Sequence, residues 1–298
     1  MVTGGSLSDG TRYHGQERVW TTIPSAALVW ATGNYYLPDT GGDSERSASQ
    51  SVCAYVYGLF DGLDRYSYCR NSWGTTQPYN VYGNVSYCEN NHANTAIFYK
   101  GHINPRDWDC GVQGCGFNHS SIYDYEGWDY TYDQIIDYHI HEDDNGYSRL
   151  SSKTHDFVFL WACDWGNENR TGGFSGSHSW GMQASWMGVN DLQYDGYKDP
   201  DYRDRCFISF WNASIMFTNQ TGYSGKTYSD WTKLFFEYAL QDDYTIQIAL
   251  DQATRDTHGP NVPFSDCKLY KGYTMIVNGQ EWDCSMVVYG DGYHEMAR

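Results

Sequence analysis

Two side chains that can do nucleophilic chemistry each follow a short apolar run of this chain. His102 comes shortly after the run 95–99, and Cys163 comes after the run 157–161 and Ala162. A thiolate attacks carbonyl carbon, and a neighbouring imidazole can hold the thiolate and transfer a proton. The alternative for both residues is structural, since many buried cysteines are chemically inert. Because 61 positions separate the two residues, only the fold can join them.

The apolar runs before these residues predict buried strands. Residues 157–161 are Phe-Val-Phe-Leu-Trp with no polar break, which is typical of a strand buried on both faces in a parallel sheet. Asp164 and Gly166 then suit a turn. Open α/β sheets carry their chemistry at the carboxyl ends of the strands. Two parallel strands ending in His102 and Cys163 would bring imidazole and thiol together at one sheet edge.

Strands and helices alternate along the chain. Strands are predicted at 25–31, 65–69, 95–99, 156–162, 206–211 and 282–289, and helices at 44–60, 131–141, 231–239 and 246–253. Residues 70–94 and 164–200 are predicted as long connections, the second one functional because compact domains rarely contain such loops. The alternation predicts one α/β sandwich with a mainly parallel sheet. Residues 1–24 are expected to form a polar N-terminal arm, and 25–298 a single domain.

The charge balance restricts the partners. A net charge of −18 argues against binding to nucleic acid or to an anionic membrane surface, because both would repel the chain. No apolar run approaches the roughly 20 residues that span a bilayer. The acidic charge favours basic substrates, and the oligomeric state is open.

Cysteines and glycosylation sequons favour an extracellular or cell-surface location. Eight of the nine cysteines could form four disulfides and leave Cys163 as the free thiol. A disulfide between Cys69 and Cys88 could staple the connection at 70–94, and Cys110 and Cys115 could close a small loop. The alternative is a reduced protein with buried cysteines.

Asn-x-Ser/Thr sequons occur at Asn84, Asn118, Asn169, Asn212 and Asn219, and their use would make the protein a glycoprotein. The first residues have no apolar signal core, so a mature form is expected.

The order of these motifs resembles the caspase-like (clan CD) cysteine peptidases, which include gingipains, clostripain, legumain and caspases. The likeness is carried by Ile97-Phe-Tyr-Lys-Gly-His102 and, after a predicted helix, by Phe157-Val-Phe-Leu-Trp-Ala-Cys163. Residues 231–239, 248–253 and 286–291 are similar to the end of gingipain-type catalytic domains. The resemblance spans 25–295 by order of elements and is nearest to gingipain and clostripain types. It implies a caspase-like three-layer sandwich.

The resemblance also implies the roles of the site residues in a secreted cysteine endopeptidase. Cys163 would attack the peptide carbonyl, and His102 would protonate the leaving amine. Backbone N–H groups at Ile103 and Cys163 would bind the oxyanion. The family usually has glycine after the histidine, whereas this chain has Ile103, whose β-branched side chain restricts the backbone and crowds the cleft.

The resemblance places the substrate pocket in the loop after Cys163 and in the following strand. Trp180 and Trp211 could stack on a long substrate side chain, with Ser209 beside them. An acidic pocket for Arg or Lys would fit the net charge, although no carboxylate can be named. The alternative is that both tryptophans lie in the core, as tryptophan often does.

Metal and cofactor motifs are weak in this sequence. His139 and His141 are two positions apart and would not share a helix face, so no metal site is expected there. Asp143, Asp144 and Asn145 could bind a structural calcium ion, but they lack the full spacing of a calcium loop, and a solvated turn is the better interpretation. No phosphate-binding or dinucleotide fingerprint occurs, so no cofactor is expected.

Two other functions remain open beside the peptidase. Ile103 and the many aromatic residues are compatible with a catalytically inactive caspase-like protein that binds a ligand or partner. The Tyr, Asn and Gly content is compatible with a structural extracellular surface protein. Thiol reactivity of Cys163 separates the first alternative from an enzyme, and self-assembly would support the second.

Overall fold

The fold is described from a computed structural model. The described residues are 25–32, 42–74, 78–103, 121–123, 134–136, 155–162, 186, 205–212, 214–277, 280–290 and 292–296. No helix within these ranges is long and apolar enough to cross a membrane.

Strands and helices alternate from residue 25 to residue 100, and a helical region at residues 228–271 precedes the last two strands. The strands are β1 (Ser25–Thr32), β2 (Tyr66–Gly74), β3 (Thr95–Lys100), β4 (His102–Ile103), β5 (Ser121–Tyr123), β6 (Gln134–Ile136), β7 (His155–Trp161), β8 (Cys206–Asn212), β9 (Tyr273–Val277) and β10 (Gln280–Gly290). The helices are α1 (Gly42–Asp61), α2 (Pro78–Asn91), α3 (Tyr228–Leu240), α4 (Ile246–His258) and α5 (Lys268–Lys271), with a 3₁₀ turn at Phe264–Asp266.

Seven of the strands in the described ranges form the main sheet, in the order β2-β1-β3-β7-β8-β10-β9. The pairs from β2 to β8 are all parallel, whereas β10 runs antiparallel to both β8 and β9. The predicted α/β fold with a mainly parallel sheet is therefore confirmed. A separate three-stranded sheet has the order β4-β5-β6.

Helices cover both faces of the main sheet, because each central strand is apolar on both sides. In β1, Val29 packs into the larger core cluster, which includes residues of α1, α3 and α4, whereas Leu28 packs into a second cluster with Val81 and Val85 of α2. Residues 157–161 of β7 are all 0 % exposed. This confirms the prediction of a strand buried on both faces and makes the arrangement three layers thick.

Helices α3 and α4 confirm the sequence periodicity. Thr227 caps α3 in a capping box with Asp230, and Thr245 caps α4 by accepting from the N–H of Ile248. Such caps satisfy backbone donors that have no partner inside the helix. Trp231 and Phe235 of α3 lie in the core with their rings stacked, 5.8 Å apart.

Two predictions of local structure are wrong. The connection predicted at 70–94 contains the end of β2 and the whole of α2. The helix predicted at 131–141 is contradicted at Gln134–Ile136, which forms β6 and pairs antiparallel with β5. The rest of that predicted helix, and the N-terminal arm, lie outside the described residues.

The predicted disulfide between Cys69 and Cys88 is also wrong. Cys69 is a free thiol that packs into the core cluster on one face of the sheet, whereas Cys88 packs into the cluster on the other face. The two thiols therefore lie on opposite faces of the sheet. No two of the six cysteines in the described ranges form a disulfide. Cys110, Cys115 and Cys163 lie outside these ranges.

Candidate functional site

The carboxyl ends of β3 and β7 meet at one edge of the main sheet. The two strands pair in parallel register, with Lys100 opposite Trp161. The N–H of Gly101 extends the pairing by donating to the carbonyl of Trp161 at 3.2 Å. The predicted neighbourhood of the two strands is thus confirmed, and the two proposed catalytic positions each lie two residues beyond this last pair.

His102 begins the short strand β4, where the chain leaves the main sheet. His102 pairs with Tyr123, and Ile103 pairs with Ile122, in the antiparallel ladder with β5. The backbone after β3 is thus tied into the three-stranded sheet. Cys163, Trp180 and the calcium candidates Asp143, Asp144 and Asn145 lie outside the described residues. Their proposed roles stay predictions.

Ser209 and Trp211 belong to β8, the strand next to β7. Ser209 is 0 % exposed, and its hydroxyl donates to the carbonyl of Leu160 at 3.0 Å. Trp211 pairs with Ser285 in the ladder between β8 and β10. A role for Ser209 in substrate binding stays a prediction, and it requires the hydroxyl to exchange its present partner.

A buried ion pair lies directly behind the carboxyl end of β3. The ammonium nitrogen Nζ of Lys100 is 3.3 Å from Oε1 of Glu45, in the first turn of α1. Lys100 and Glu45 are only 4 % and 5 % exposed. Glu45 also accepts from the backbone N–H groups of Phe217 and Thr218, at 2.8 and 3.0 Å, and from the Thr218 hydroxyl at 3.0 Å. One carboxylate therefore joins α1, β3 and the segment that follows β8.

The protonation state of Glu45 follows from its partners. Burial by itself would raise the pKa of this carboxyl, because it disfavours the charged form. The positive charge of Lys100 and the hydrogen bonds from Phe217 and Thr218 outweigh burial and lower the pKa. Glu45 is therefore an anion at neutral pH, and the ion pair is intact.

Segment 214–218 packs across the ends of both strands. The indole Nε1 of Trp161 donates to the carbonyl of Ile215 at 2.7 Å, and the rings of Trp161 and Phe217 are 4.6 Å apart. The ammonium group of Lys100 lies 5.2 Å from the centre of the Phe217 ring, within the range of a cation–π contact. Contacts with this segment therefore hold both Lys100 and Trp161, the last paired residues before the proposed catalytic positions.

Two described thiols, Cys53 of α1 and Cys69 of β2, are unreactive at neutral pH. Cys53 of α1 is fully buried and donates to the carbonyl of Trp30 at 3.3 Å. Burial raises the pKa of Cys53 far above that of an ordinary thiol, even though Lys100 lowers it. Burial also raises the pKa of Cys69 to about 12. Neither thiol is a thiolate at neutral pH, so neither competes as a nucleophile.

Sequence reasoning named Lys100 only as part of a motif and did not identify Glu45. A signal was present, because Lys100 ends an otherwise apolar run, and a buried lysine requires a partner. The sequence does not say which of its acidic residues is that partner, since 55 positions separate the two.

No group of three or more His, Cys, Asp or Glu side chains that could hold a metal ion occurs in the described ranges.

No protein-family model matches the chain, and no curated protein matches it.

Proposed function

We propose that this chain is a secreted cysteine endopeptidase with a caspase-like fold, in which Cys163 and His102 form the catalytic dyad. The observation that carries the proposal is the parallel pairing of β3 with β7, in which Lys100 lies opposite Trp161. Two residues beyond that pair, the chain has a histidine after one strand and a cysteine after the other. A strand order with β3 and β7 central and helices on both faces is compatible with the caspase-like type.

The proposed reaction proceeds through a thioester. The Cys163 thiolate attacks the carbonyl carbon of the scissile peptide, and the tetrahedral oxyanion accepts hydrogen bonds from N–H groups of Ile103 and Cys163. His102 donates its proton to the amine, which leaves as the C–N bond breaks. His102, now neutral, then takes a proton from water, whose oxygen bonds to the thioester carbon. The C–S bond breaks, which releases the carboxylic acid and regenerates the Cys163 thiolate beside the protonated imidazole. Each oxyanion donor is worth on the order of 100-fold in rate.

The buried ion pair supports the proposal by explaining how such a site could be held in position. Catalytic geometry has to be kept within fractions of an ångström by packed neighbours. Lys100 is two residues before His102, and its ammonium group is fixed by Glu45. Glu45 in turn fixes residues 217 and 218, a few positions after the strand proposed to line the substrate pocket.

The experiment that tests the proposal is alkylation of the native protein with iodoacetamide at neutral pH, followed by mass spectrometry of the peptides. We expect fast modification at Cys163, slowed in His102→Ala because the imidazole no longer holds the thiolate. Cys53 and Cys69 serve as controls in the same sample, because their raised pKa values predict labelling only after unfolding.

Peptide hydrolysis then tests the enzyme itself. A denatured, lysine- and arginine-rich protein such as a histone mixture is the substrate. We expect cleavage by the wild type, none by Cys163→Ala, and a loss of about 10²- to 10⁴-fold in His102→Ala. Cys69→Ala is the matched control and should keep full activity. Full activity in Cys163→Ala, or a Cys163 that stays unlabelled in the folded protein, would overturn the proposal.

A further inference from the structure

A cavity lies at the end of the sheet opposite to the candidate site. It opens between α4, the 3₁₀ turn, α5 and the end of β10, and its volume is about 400 Å³. Gly290, which lines the cavity, pairs with Cys206, the first residue of β8. Cys206 is at the amino end of the parallel strands, so the cavity does not border the carboxyl ends of β3 and β7. Its volume falls within the range of small-molecule sites, about 300–1,000 Å³.

The walls of the cavity are fixed by hydrogen bonds. Asp251 of α4 accepts from the N–H of Phe264 at 2.9 Å and from Arg255 at 2.7 Å, which joins the 3₁₀ turn to the helix. The N–H of Gln247 donates to the carbonyl of Gly292 at 2.8 Å, so a backbone donor of the first turn of α4 is satisfied by the chain beyond β10. The cavity is therefore pre-formed, which reduces the entropic cost of binding a ligand.

Aromatic side chains border an apolar floor. Leu250, Phe264 and Val288 line the cavity and are at most 9 % exposed. Tyr270 and Tyr293 stand at its rim with 44 % and 76 % of their surface exposed. Within the described ranges five large hydrophobic side chains are exposed, and these two are among them. Large exposed apolar side chains gathered around a cavity mark a recognition site.

The charges and polar groups around the cavity favour a neutral ligand with hydroxyl groups. The carboxylate of Asp251 is paired with Arg255, and Asp266 on the neighbouring turn is paired with Lys271 at 2.7 Å. Both of these described carboxylates are therefore neutralised by a cation, and neither is free to select a cationic ligand. Gln247 and Ser265 are exposed at the same rim and offer an amide and a hydroxyl. These groups donate and accept hydrogen bonds.

We infer that this cavity binds a neutral sugar ring of a glycan. A pyranose ring has C–H faces that pack on tyrosine rings and hydroxyl groups around its edge, so it matches both the aromatic rim and the polar groups. A purely apolar ligand would leave the amide of Gln247 and the hydroxyl of Ser265 without the water that they otherwise bind, which costs free energy. The site is separate from the proposed dyad, so the inference does not depend on peptidase activity.

Saturation-transfer NMR on the full chain tests this inference. The probes are the neutral methyl glycosides of glucose, galactose, mannose and N-acetylglucosamine, and the competing probe is p-cresol, a neutral aromatic molecule. We expect transfer to the ring C–H protons of at least one glycoside, with millimolar affinity. Replacement of either tyrosine, in Tyr270→Ala or Tyr293→Ala, should weaken binding by about tenfold, because each ring supplies one stacking contact.

Two kinds of variant separate binding from folding. Tyr270→Phe and Tyr293→Phe keep the rings and should keep most of the affinity. Tyr87→Ala is the matched control, because Tyr87 is 46 % exposed and also packs on another aromatic ring, but it belongs to α2 and does not line the cavity. The inference is overturned if no glycoside receives transfer, if only p-cresol does, or if the double variant Tyr270→Ala/Tyr293→Ala binds as the wild type does.

Discussion

Replacement of Glu45 by glutamine should destabilise the protein strongly, because it leaves Lys100 charged and buried without its counter-ion. The two groups are 3.3 Å apart, and at an effective dielectric constant of about 20 their attraction is about 5 kcal/mol. The amide also meets the donors of Thr218 with a geometry suited to a carboxylate. Removal of one partner from a buried pair typically costs about 3–5 kcal/mol, and we expect a loss of this size in the free energy of unfolding.

A second variant tests the physical reason for this loss. In Lys100→Met the cation is absent, but Glu45 keeps its three donors from Phe217 and Thr218, so the loss should be smaller. The double variant Glu45→Gln/Lys100→Met buries no unpaired charge, and replacement of whole buried pairs is often nearly neutral. We therefore expect the double variant to be more stable than Glu45→Gln alone.

An exposed ion pair provides the control. Asp266 and Lys271 are closer together, at 2.7 Å, but their side chains are 57 % and 59 % exposed. Solvent screening reduces such pairs to about 1 kcal/mol or less. Asp266→Asn should therefore cost less than Glu45→Gln, although its ion pair is the shorter one. Burial, not distance, decides the difference.

The pH dependence follows from the lowered pKa of Glu45. A carboxyl with a lower pKa in the folded state stabilises the protein above its unfolded pKa of about 4.3, and this contribution is lost as pH falls through the folded pKa. The stability gap between wild type and Glu45→Gln should thus be constant near neutral pH and shrink in acid. Urea unfolding followed by tryptophan fluorescence, repeated at several pH values, measures the free energy of unfolding of the wild type and of Glu45→Gln. A gap of about 1 kcal/mol or less at neutral pH, equal to that of Asp266→Asn, would refute the reasoning.

Three further predictions concern hydrogen bonds and titration. Trp161→Phe should cost about 1–3 kcal/mol in urea unfolding, because the buried carbonyl of Ile215 loses its indole donor; a loss near zero would contradict this. Thr227→Ala should cost about 1 kcal/mol through the lost cap on α3, and Thr227→Ser, which keeps the hydroxyl, is its control. Burial lowers the pKa of His258 to about 4, so its NMR titration should have a midpoint near that value. Stability should fall as pH drops from the ordinary histidine pKa of about 6.5 towards 4, and His258→Gln should remove this part of the dependence.

Local sequence patterns predicted the secondary structure correctly where a strand is buried on both faces or where apolar residues recur at helical spacing. Residues 157–161 have no polar break and form the central part of β7. The apolar spacing of 231–239 and 246–253 predicted α3 and α4, whose polar faces contact solvent. In each of these segments the hydrophobic pattern fits only one secondary structure. The secondary structure that the local sequence favours is therefore the one that packs in the fold.

Local patterns failed where partners distant in sequence decide the structure. Gln134–Ile136 lies within a helical pattern, but its pairing with β5 makes it a strand. Helix α2 is rich in Asn and Tyr, residues with weak helix preference, yet Val81, Val85 and Cys88 on one side of it pack into the core. Tertiary burial stabilises both segments against their intrinsic preferences.

The sequence by itself determined the class of the fold, the central strand β7 and the helices α3 and α4, because these depend on the order of apolar and polar residues. Only the tertiary structure decided that Glu45 pairs with Lys100 and that a cavity forms between α4 and β10. Those contacts join residues far apart in sequence, and their free energy exists only after the chain has packed.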